Sequence, residues 1–493
     1  MPVLVFVVGA ASLGSEIAAA RLLAPWFGDS TIVWANTIAT VLVALSLGYW
    51  FGGRLADQRP TLEGLGRLVL AAAGLLALVP FVARPFLKVS VDALDSVEAG
   101  AFVGSLIGVL FLIAAPVFVM GCVAPYAIRL SVTAVDESGR IAGRLYAIST
   151  LGSLAGTFLS ALLLIPFLGT RRTFLVFALG LAIVGVVALR ARIATLAPAG
   201  IALLLLLPVG TIKAASDGRV LWEAETEYQY ARVVEDPTGE RTLELNEGEA
   251  IHSLYRPGRW LTDNYWDEPL VLPFAARPEP PRSMAILGNA AGTVARAYGH
   301  FFPRTRVDAV EIDGELTDVG RRLFDLHGPN LHTHAADARP WLRATDRRFD
   351  VIYVDAYRQP YIPFYLATKE FFELARDRLE PGGIVLINVG HPEDSDDLEQ
   401  VLSATMGAVF RHVVRDPSED TNTQLVASDV PLTGATLRRA LPDLPPDLRP
   451  LAAAAAERLA PRLRGGRVYT DDVAPVEWLV DASLVQVAAE GHR

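Results

Sequence analysis

The sequence predicts two structures in one chain: an N-terminal α-helical transmembrane bundle and a C-terminal α/β domain built on a doubly wound parallel sheet. The chain has 493 residues, of which 52% are hydrophobic and 20% are charged. Residues 1–213 carry 14 Lys+Arg against 9 Asp+Glu, whereas the remainder carries 30 against 45. Beyond residue 282, short apolar strands alternate with helical segments, which is typical of a parallel sheet covered by helices on both faces.

The composition also excludes several classes of protein. A single soluble globule, a disordered chain and a fibrous repeat do not fit this split between an apolar half and a charged half. Cys122 is the one cysteine, so an internal disulfide and a cysteine-based metal site are excluded. The acidic second half lacks the basic face of a nucleic-acid binder, and we expect no nucleic-acid partner.

Hydropathy predicts about seven membrane helices, each near the ~20 residues that cross the hydrocarbon layer. The first apolar run lacks a basic leader and is followed by further spans, so we interpret it as an integral helix rather than a cleaved signal peptide. The predicted spans lie near residues 3–24, 31–53, 66–86, 100–120, 145–168, 172–190 and 197–213.

The orientation of this bundle has two interpretations. Arginines cluster after the second, fourth and sixth predicted spans, and the positive-inside rule would place those loops in the cytoplasm. Seven spans would then send the second half outside the cell. Arg84, Lys88, Arg171 and Arg172 in the opposite loops weaken this bias. We predict a multi-pass protein of the cell membrane whose catalytic domain is cytoplasmic, because the chemistry inferred below belongs there.

Three features of the first half of the chain predict either close helix packing or a functional site. Small residues recur at helical spacing in 143–147 and 152–156, which lets helix backbones approach closely in lipid. Glu16 and Arg21 lie in or near the first span, where ionisable residues indicate either a functional site or a mutual pair. The run 52–57 resembles the loop between the second and third helices of major-facilitator transporters, or is a plain charged turn.

A small β subdomain is predicted over 214–276. An alternating strand at 228–234 is followed by a turn containing Pro and Gly at 236–239 and a returning strand at 241–245, which together favour a hairpin. The Pro-rich segment 277–281 is interpreted as a linker into a third region, 282–493.

A glycine loop opens this third region. The buried-type strand 284–287 runs into Gly288, Asn289 and Gly292 and then into a helix. Glycines let a backbone approach a ligand closely, and the first turn of the helix offers unpaired amide hydrogen-bond donors. We therefore take Gly288, Asn289 and Gly292 as candidate nucleoside-binding residues.

Three acidic residues follow successive predicted strands. Glu311 lies about twenty residues after the glycine loop, where a carboxylate can accept both ribose hydroxyls. Asp337 and Asp355 end the next two strands. Because the carboxyl ends of parallel strands meet at one edge of a sheet, these acids are expected to converge on a nucleoside site.

With these motifs in order, residues 222–390 resemble the spermidine synthase (polyamine aminopropyltransferase) family, which has a class I methyltransferase-like, Rossmann-like fold. The membrane half resembles the extension of membrane-fused spermidine synthase-like proteins. The matching motifs are Glu227-Tyr228-Gln229, Leu245-Asn246, the glycine loop 288–292, Val310-Glu311-Ile312-Asp313, Ala336-Asp337, Val354-Asp355-Ala356 and Pro381-Gly382-Gly383.

The resemblance implies an aminopropyl transfer from decarboxylated S-adenosylmethionine to an amine, with release of methylthioadenosine and no tightly bound cofactor. By this resemblance Glu311 holds the ribose hydroxyls, Asp337 the adenine amino group, and Gln229 the thio-nucleoside side. Asp355 becomes the catalytic acid that positions and deprotonates the attacking amine. Carboxylates suit this task, because they accept protons and form charge-assisted hydrogen bonds with amines.

The acceptor side departs from the family's pattern. Arg358 stands where the family usually has a second aspartate, and a guanidinium repels a diamine. Asp267 lies in a Trp-Asp-Glu run in place of Tyr-His-Glu, and His252 lies near the expected second glutamine. With Tyr228 and Tyr357, these residues are the substrate-binding candidates, and the identity of the amine stays open.

Two other functions remain as alternatives. A methyltransferase could use S-adenosylmethionine on a lipid or other hydrophobic acceptor, which Arg358 and the membrane half would favour. A transport protein could sense a polyamine or nucleoside through its second half. His332 and His334 lack an evident third ligand, so no metal site is predicted. The polar run 469–477 is either a solvated turn or part of the site. The expected partners are the lipid bilayer, a small-molecule acceptor and possibly a second copy of the chain.

Overall fold

The computed structural model describes residues 1–27, 31–94, 100–207, 212–213, 215, 218–246, 250–357, 362–392 and 395–479. The chain divides into two compact units. The first comprises Met1–Ala214 and Glu223–Ala231, and the second comprises Ala215–Trp222 and Arg232–Arg493.

The first unit is a bundle of apolar helices. A π-helical turn at Ser160–Leu164 joins α6 to α7. The helices are α1 (Pro2–Phe27), α2 (Thr31–Gln58), α3 (Leu62–Leu94), α4 (Gly100–Leu112), α5 (Ala114–Ser131), α6 (Ser138–Leu159), α7 (Ile165–Leu168), α8 (Thr170–Leu189) and α9 (Leu196–Leu205).

Six of the described helical segments are long and apolar enough to cross a membrane, where the hydropathy pattern predicted about seven. The fourth predicted span, 100–120, is broken at Ile113 into α4 and α5. Pro116 explains the break, because its ring nitrogen has no hydrogen to donate to the carbonyl of Leu112 and its ring crowds that carbonyl. The run 52–57 lies inside α2 rather than in a loop, and Asp57 pairs with Arg129 at 3.1 Å.

The seventh predicted span, 197–213, is helical only over Leu196–Leu205 in the described part of the chain. Ten helical residues rise about 15 Å, half of a hydrocarbon layer. Beyond this helix, Lys213 Nζ donates to the Pro25 carbonyl at 3.2 Å near the end of α1. The described residues therefore contain a separate helix at this position, α9, which is shorter than the predicted span.

The predicted close approach of helix backbones is confirmed at one of its two sites. A Cβ atom on Gly152 would lie 2.1 Å from the Phe6 carbonyl oxygen, and one on Gly156 would lie 2.1 Å from that of Ala10. The Ser160 hydroxyl donates to the Gly14 carbonyl at 2.9 Å, one turn further along. These contacts align α1 and α6 in the same direction. Gly143, at the other predicted site, has open space around its Cα.

A four-stranded sheet of order β1-β2-β3-β4 follows the bundle in sequence. The predicted hairpin is confirmed as β2 and β3, joined by a turn in which Asp236 Oδ1 accepts hydrogen bonds from the amides of Thr238 and Glu240. The strands are β1 (Arg219–Glu225), β2 (Tyr230–Glu235), β3 (Arg241–Leu245) and β4 (Ile251–Tyr255).

The second unit contains an eight-stranded sheet with helices on both faces. Its strands are β5 (Ser283–Leu287), β6 (Arg306–Glu311), β7 (Leu331–Ala335), β8 (Phe349–Val354), β9 (Leu379–Gly390), β10 (His412–Glu419), β11 (Asn422–Ser428) and β12 (Ala460–Pro461). Its helices are α10 (Thr293–Phe301), α11 (Gly314–Leu323), α12 (Ala338–Ala344), α13 (Lys369–Asp377), α14 (Asp397–Gly407), α15 (Gly434–Ala440) and α16 (Arg449–Arg458).

The strand order β12-β10-β11-β9-β8-β5-β6-β7 confirms the predicted doubly wound sheet. Strands β5 to β9 are parallel, and β11, β10 and β12 extend the sheet as an antiparallel edge. The order reverses at β5, which has β6 on one side and β8 on the other. Ligands of such sheets bind outside the carboxyl ends of the strands at this reversal.

Alternation along the central strand builds a core on each face of the sheet. Met284 and Ile286 pack into one apolar cluster, and Ala285 and Leu287 into the other. All four side chains are at most 1% exposed. Because side chains alternate between the faces of a strand, a short run without polar residues is what a strand covered on both sides requires.

Candidate active site

The glycine loop lies at the carboxyl end of β5. The Gly288 and Asn289 amides donate to the Val310 carbonyl at 3.0 and 3.1 Å, which ties the loop to β6. Gly288 has φ +90°, and a Cβ atom there would lie 2.5 Å from the Cα of Ala356. Glycine is therefore required by both the backbone conformation and the close passage of the chain after β8. The predicted loop and helix are confirmed, with Gly292 at the N-cap of α10.

Strand β4 forms hydrogen bonds with the glycine loop and with the first residue of α10. The Ala291 amide donates to Ser253 Oγ at 2.9 Å, and the Leu254 amide donates to Thr293 Oγ1 at 2.9 Å. His252 precedes these contacts in β4, and burial lowers its pKa to about 4. The imidazole is therefore neutral at physiological pH. Sequence reasoning selected His252 but missed Ser253 and Thr293, whose hydroxyls carry no distinguishing pattern.

Glu311 is held at the end of β6 by two backbone amides. Its Oε2 accepts from Ala290 at 2.7 Å and its Oε1 accepts from Asp313 at 3.0 Å. Burial raises the pKa of Glu311 to about 7, against the effect of these two amides. Each oxygen keeps a second lone pair, so the carboxylate can still accept two hydroxyl hydrogens.

Asp337 caps α12 and borders a cavity of about 350 Å³. Its Oδ1 accepts from the Arg339 amide at 3.1 Å, and its Oδ2 accepts from the Tyr365 hydroxyl at 3.1 Å. The Arg339 guanidinium binds both oxygens of Asp471 at 2.8 and 2.6 Å. Asp471 belongs to the polar run 469–477 and lines this cavity, while the neighbouring residues Asp472 and Val473 are exposed.

Asp355 lies just beyond β8, next to the glycine loop. Its amide donates to the Leu287 carbonyl at 2.9 Å, and its Oδ1 accepts from Asn388 Nδ2 at 3.0 Å. Burial raises the pKa of Asp355 to about 6, and the hydrogen bond from Asn388 opposes that rise. Asp355 is therefore mostly ionised at neutral pH but can accept a proton at little cost, as a general base requires.

Tyr357 is fixed beside Asp355. Its hydroxyl donates to the Asn388 carbonyl at 3.0 Å and accepts from the Gly390 amide at 2.6 Å. The predicted substrate-binding residue Tyr357 thus joins the loop after β8 to β9. Arg358, the residue expected to oppose a diamine, lies outside the described residues.

Asp267 has its carboxylate occupied by its own turn. It accepts from the amides of Thr262 and Asp263 and from the Thr262 hydroxyl, at 2.8 to 3.0 Å. These bonds hold the turn that leads into Tyr265, and no atom of Asp267 is left to compete strongly for an amine. Its predicted role as a substrate ligand stays a prediction.

An acidic cavity of about 390 Å³ borders the same turn. Burial and then the charge of Asp355 raise the pKa of Tyr265, which lines this cavity, so Tyr265 and Asp355 are neighbours. Among the residues that the structure describes, this lining contains no lysine or arginine. Its acidic members are Asp263, Asp267, Glu268, Glu419 and Asp447.

Tyr228 and Gln229 belong to the first unit. They lie between β1 and β2, where the Thr226 hydroxyl oxygen accepts from the Tyr228 amide at 3.2 Å and the Gln229 amide at 3.1 Å. The Arg21 guanidinium donates to the carbonyls of Thr226 and Glu227 in the same segment. The assignment of Tyr228 and Gln229 to the nucleoside stays a prediction.

Among the described residues, no group of three or more His, Cys, Asp or Glu side chains is arranged to hold a metal ion. The two histidines singled out in the sequence have other contacts. His334 Nε2 lies 2.9 Å from Asp308 Oδ1, and His332 Nε2 lies 2.7 Å from an Arg306 nitrogen.

Glu311, Asp337 and Asp355, with the glycine loop, follow neighbouring strands at the point where the strand order reverses, so the fold and site define a class I methyltransferase-like domain. Residues 271–417 match the spermine/spermidine synthase domain. The chain is 32% identical over 210 residues to a probable polyamine aminopropyl transferase of Bifidobacterium longum, covering 42% of this chain and 46% of that protein. It thus spans less than half the length of that relative.

A second relative aligns across both halves of the chain. The polyamine aminopropyltransferase of Corynebacterium efficiens is 25% identical over 445 residues, which are 84% of this chain and 82% of that protein. A crystal structure of a probable spermidine synthase from Corynebacterium glutamicum covers 53% of this chain and 99% of its own, at 21% identity and a TM-score of 0.41. The fold assignment rests on the strand order described above. Residues 271–417 thus match a spermine/spermidine synthase domain, and both halves of the chain are similar to a polyamine aminopropyltransferase.

Proposed function

We propose that this protein is a membrane-bound aminopropyltransferase that uses decarboxylated S-adenosylmethionine as its aminopropyl donor and an amine as its acceptor. The observation that carries the proposal is the recessed Asp355 carboxylate, whose pKa of about 6 suits a general base, beside the glycine loop. The names of the relatives, polyamine aminopropyltransferases, support the same reaction.

The proposed reaction is a single displacement. The ammonium form of the acceptor first gives one proton to Asp355, which frees the lone pair of its nitrogen. This lone pair attacks the aminopropyl carbon next to the sulfonium, a C–N bond forms, and the C–S bond breaks. The electron pair of the C–S bond goes to sulfur, which leaves as neutral methylthioadenosine, and the product nitrogen keeps the positive charge. Because the sulfonium is already a good leaving group, most of the catalytic effect comes from orientation and proton removal.

The donor half of the site is proposed from the resemblance and from the geometry together. Glu311 would accept the two ribose hydroxyls through its remaining lone pairs, and Asp337 would face the adenine from the edge of its cavity. The first turn of α10 follows Gly288, Asn289 and Gly292, and its amides would lie toward the nucleoside. Gln229 is proposed as a contact of the thio-nucleoside by resemblance alone.

The acceptor is proposed to be a primary amine that is cationic in solution. The acidic cavity beside Tyr265 supports this class, because five carboxyl groups and no lysine or arginine are found in its described lining. Two of the five, Asp263 and Glu268, pair with arginines outside the lining. Asp355, Tyr265 and Trp266 would surround the attacking nitrogen, and the indole of Trp266 also lowers the pKa of Asp355.

Replacement of Asp355 by Asn tests the proposal. With the full-length protein in detergent, decarboxylated S-adenosylmethionine and a panel of diamines, we expect kcat for methylthioadenosine release to fall about 10²- to 10⁴-fold, because the base is lost. The affinity for methylthioadenosine should change little. Asp443→Asn, an exposed carboxylate in a surface turn, is the matched control and should retain wild-type turnover.

The contradicting results are equally specific. If the wild-type protein releases no methylthioadenosine with any amine, the proposed function is wrong. If it converts S-adenosylmethionine to S-adenosylhomocysteine, the protein transfers a methyl group instead. An Asp355→Asn variant with wild-type kcat would remove Asp355 from the mechanism while leaving the reaction intact.

A further inference from the structure

We propose that Asn388 is the positioning residue of the active site, and that Gln424 and Asn422 act through Asn388 to keep Asp355 ionised and correctly oriented. This inference rests on the proposed function, since it takes Asp355 as the general base. None of these three amides carries a motif in the sequence. Their role follows from where three neighbouring strands place them.

Strand register brings the four side chains to one place. Val354 at the end of β8 pairs with Ile387 of β9, so the next residues, Asp355 and Asn388, are neighbours across parallel strands. Asn388 is directly opposite Gln424 on antiparallel β11. Directly opposed residues point to the same face of a sheet, and so does a residue two positions further along a strand. Asn422 occupies that position, opposite Gly390.

The hydrogen bonds among these groups determine which way the Asn388 amide points. Asn388 Oδ1 accepts from Gln424 Nε2 at 2.9 Å and from Asn422 Nδ2 at 3.0 Å. Its Nδ2 donates to Asp355 Oδ1 at 3.0 Å. A reversed amide would set its oxygen against the carboxylate and its N–H groups against two further N–H groups. The network therefore holds an N–H group of Asn388 toward Asp355.

The hydrogen bonds among Asn388, Gln424 and Asn422 leave one buried oxygen atom without a hydrogen-bond partner. Gln424 is 0% exposed and Asn388 is 2% exposed. Gln424 Oε1 has no hydrogen-bond partner among the described residues. A buried acceptor without a partner is costly and needs an explanation. Turning the Gln424 amide would set two carbonyl oxygens against each other, so the existing orientation serves the Asn388–Asp355 bond.

The pH dependence of kcat tests this role. An N–H donor favours the charged form of the carboxylate it binds, so Asn388→Leu should raise the pKa of Asp355. We expect the acidic limb of the kcat profile, near pH 6 in the wild type, to move up by about one pH unit. The rate at pH 6 should then fall about fivefold more than the rate at pH 9, while KM for decarboxylated S-adenosylmethionine stays within about threefold.

Gln424→Leu provides a second, milder test, because it removes one of the two donors that orient Asn388. Its acidic limb should move in the same direction but less far. Ser428→Ala is the matched control, since Ser428 is a buried polar residue at the far end of the same strand, where its hydroxyl donates to the Gly383 carbonyl at 2.7 Å. Thermal unfolding of all three variants separates misfolding from a change in titration.

The outcomes discriminate between the inference and the reaction it rests on. An acidic limb that stays in place in folded Asn388→Leu and Gln424→Leu overturns the inference, and an equal shift in Ser428→Ala does the same. Failure of the wild-type protein to turn over any amine overturns the proposed function instead. A graded shift in the first two variants alone supports the positioning role.

Discussion

Glu311 is the residue whose ionisation should control nucleoside binding. Burial raises its pKa to about 7, so the group loses its proton as the pH rises through neutrality. The ionised form accepts hydroxyl hydrogens more strongly than the protonated form. We therefore expect methylthioadenosine to bind about tenfold more tightly at pH 8 than at pH 6, since the ionised fraction rises by that factor across a pKa near 7. Isothermal titration at both values measures this.

Glu311→Gln supplies the control for that dependence. An amide cannot ionise, so binding should become nearly independent of pH between 6 and 8. It should also be weaker at pH 8 by roughly 10- to 100-fold, the value of a hydrogen bond to a charged group. Methylthioadenosine lacks the aminopropyl group and the acceptor amine, so titration of Asp355 should not affect the measurement. Wild-type affinity that is flat over this range would contradict the assignment.

The candidate site was predictable where a single strand end carries the signal. Glu311, Asp337 and Asp355 each end a short strand or follow it within two residues, and the parallel topology places these strand ends at one edge of the sheet. Asn388, Gln424 and Asn422 were not predictable, because their proximity depends on an antiparallel strand, β11, that joins the sheet after β9. From sequence alone, a polar residue of an active site inside a strand looks the same as a polar residue whose hydrogen bonds are all made within the core.

At the scale of elements, we expect the polar run 469–477, called the strap below, to close one side of the cavity beside Asp337 where the donor is proposed to bind. Asp471 binds the Arg339 guanidinium through both oxygens and accepts from the Thr368 hydroxyl at 2.7 Å. These bonds hold the strap beside Asp337. Since Asp471 is 45% exposed, its pair with Arg339 is screened, and Asp471→Ala should weaken methylthioadenosine binding by about three- to tenfold.

Asp472→Ala is the matched control for the strap. Asp472 is the next residue, is exposed, and should leave binding unchanged. Limited proteolysis provides a readout that is independent of the ligand, because a released strap becomes a substrate for cleavage near residue 468. Equal protection of Asp471→Ala and the wild type, together with equal affinity, would show that the strap does not depend on this ion pair.

At the scale of the whole molecule, hydropathy predicted where the apolar segments of the bundle lie better than it predicted where each helix begins and ends. Apolar composition measures only transfer into lipid, so it does not detect the local hydrogen-bonding defect at Pro116 that divides one predicted span into α4 and α5. Apolar composition also did not predict the length of the last helix, α9, which has ten residues. The small residues at 152–156 correctly predicted a close contact between helix backbones, because a larger side chain would not fit there.

The orientation of the bundle yields the final prediction. Lys213, from which the chain leaves the bundle, contacts Pro25 near the end of α1, and α1 runs parallel to α6. Val135 precedes α6 and so lies at the other end. Because the proposed aminopropyl donor is made in the cytoplasm, we expect the second unit to be cytoplasmic and Val135 to face outward. The fourteen basic residues of 1–213 divide eight to six between the two ends and therefore barely favour either orientation.

Single cysteines in a Cys122→Ala background measure this orientation. Val135 is 89% exposed and Glu380 is exposed in the second unit, so Val135→Cys and Glu380→Cys should both react once cells are permeabilised. In intact cells, a membrane-impermeant maleimide should label only Val135→Cys. Labelling of Glu380→Cys alone would place the second unit outside, where decarboxylated S-adenosylmethionine is not made, and would also argue against the proposed aminopropyl transfer.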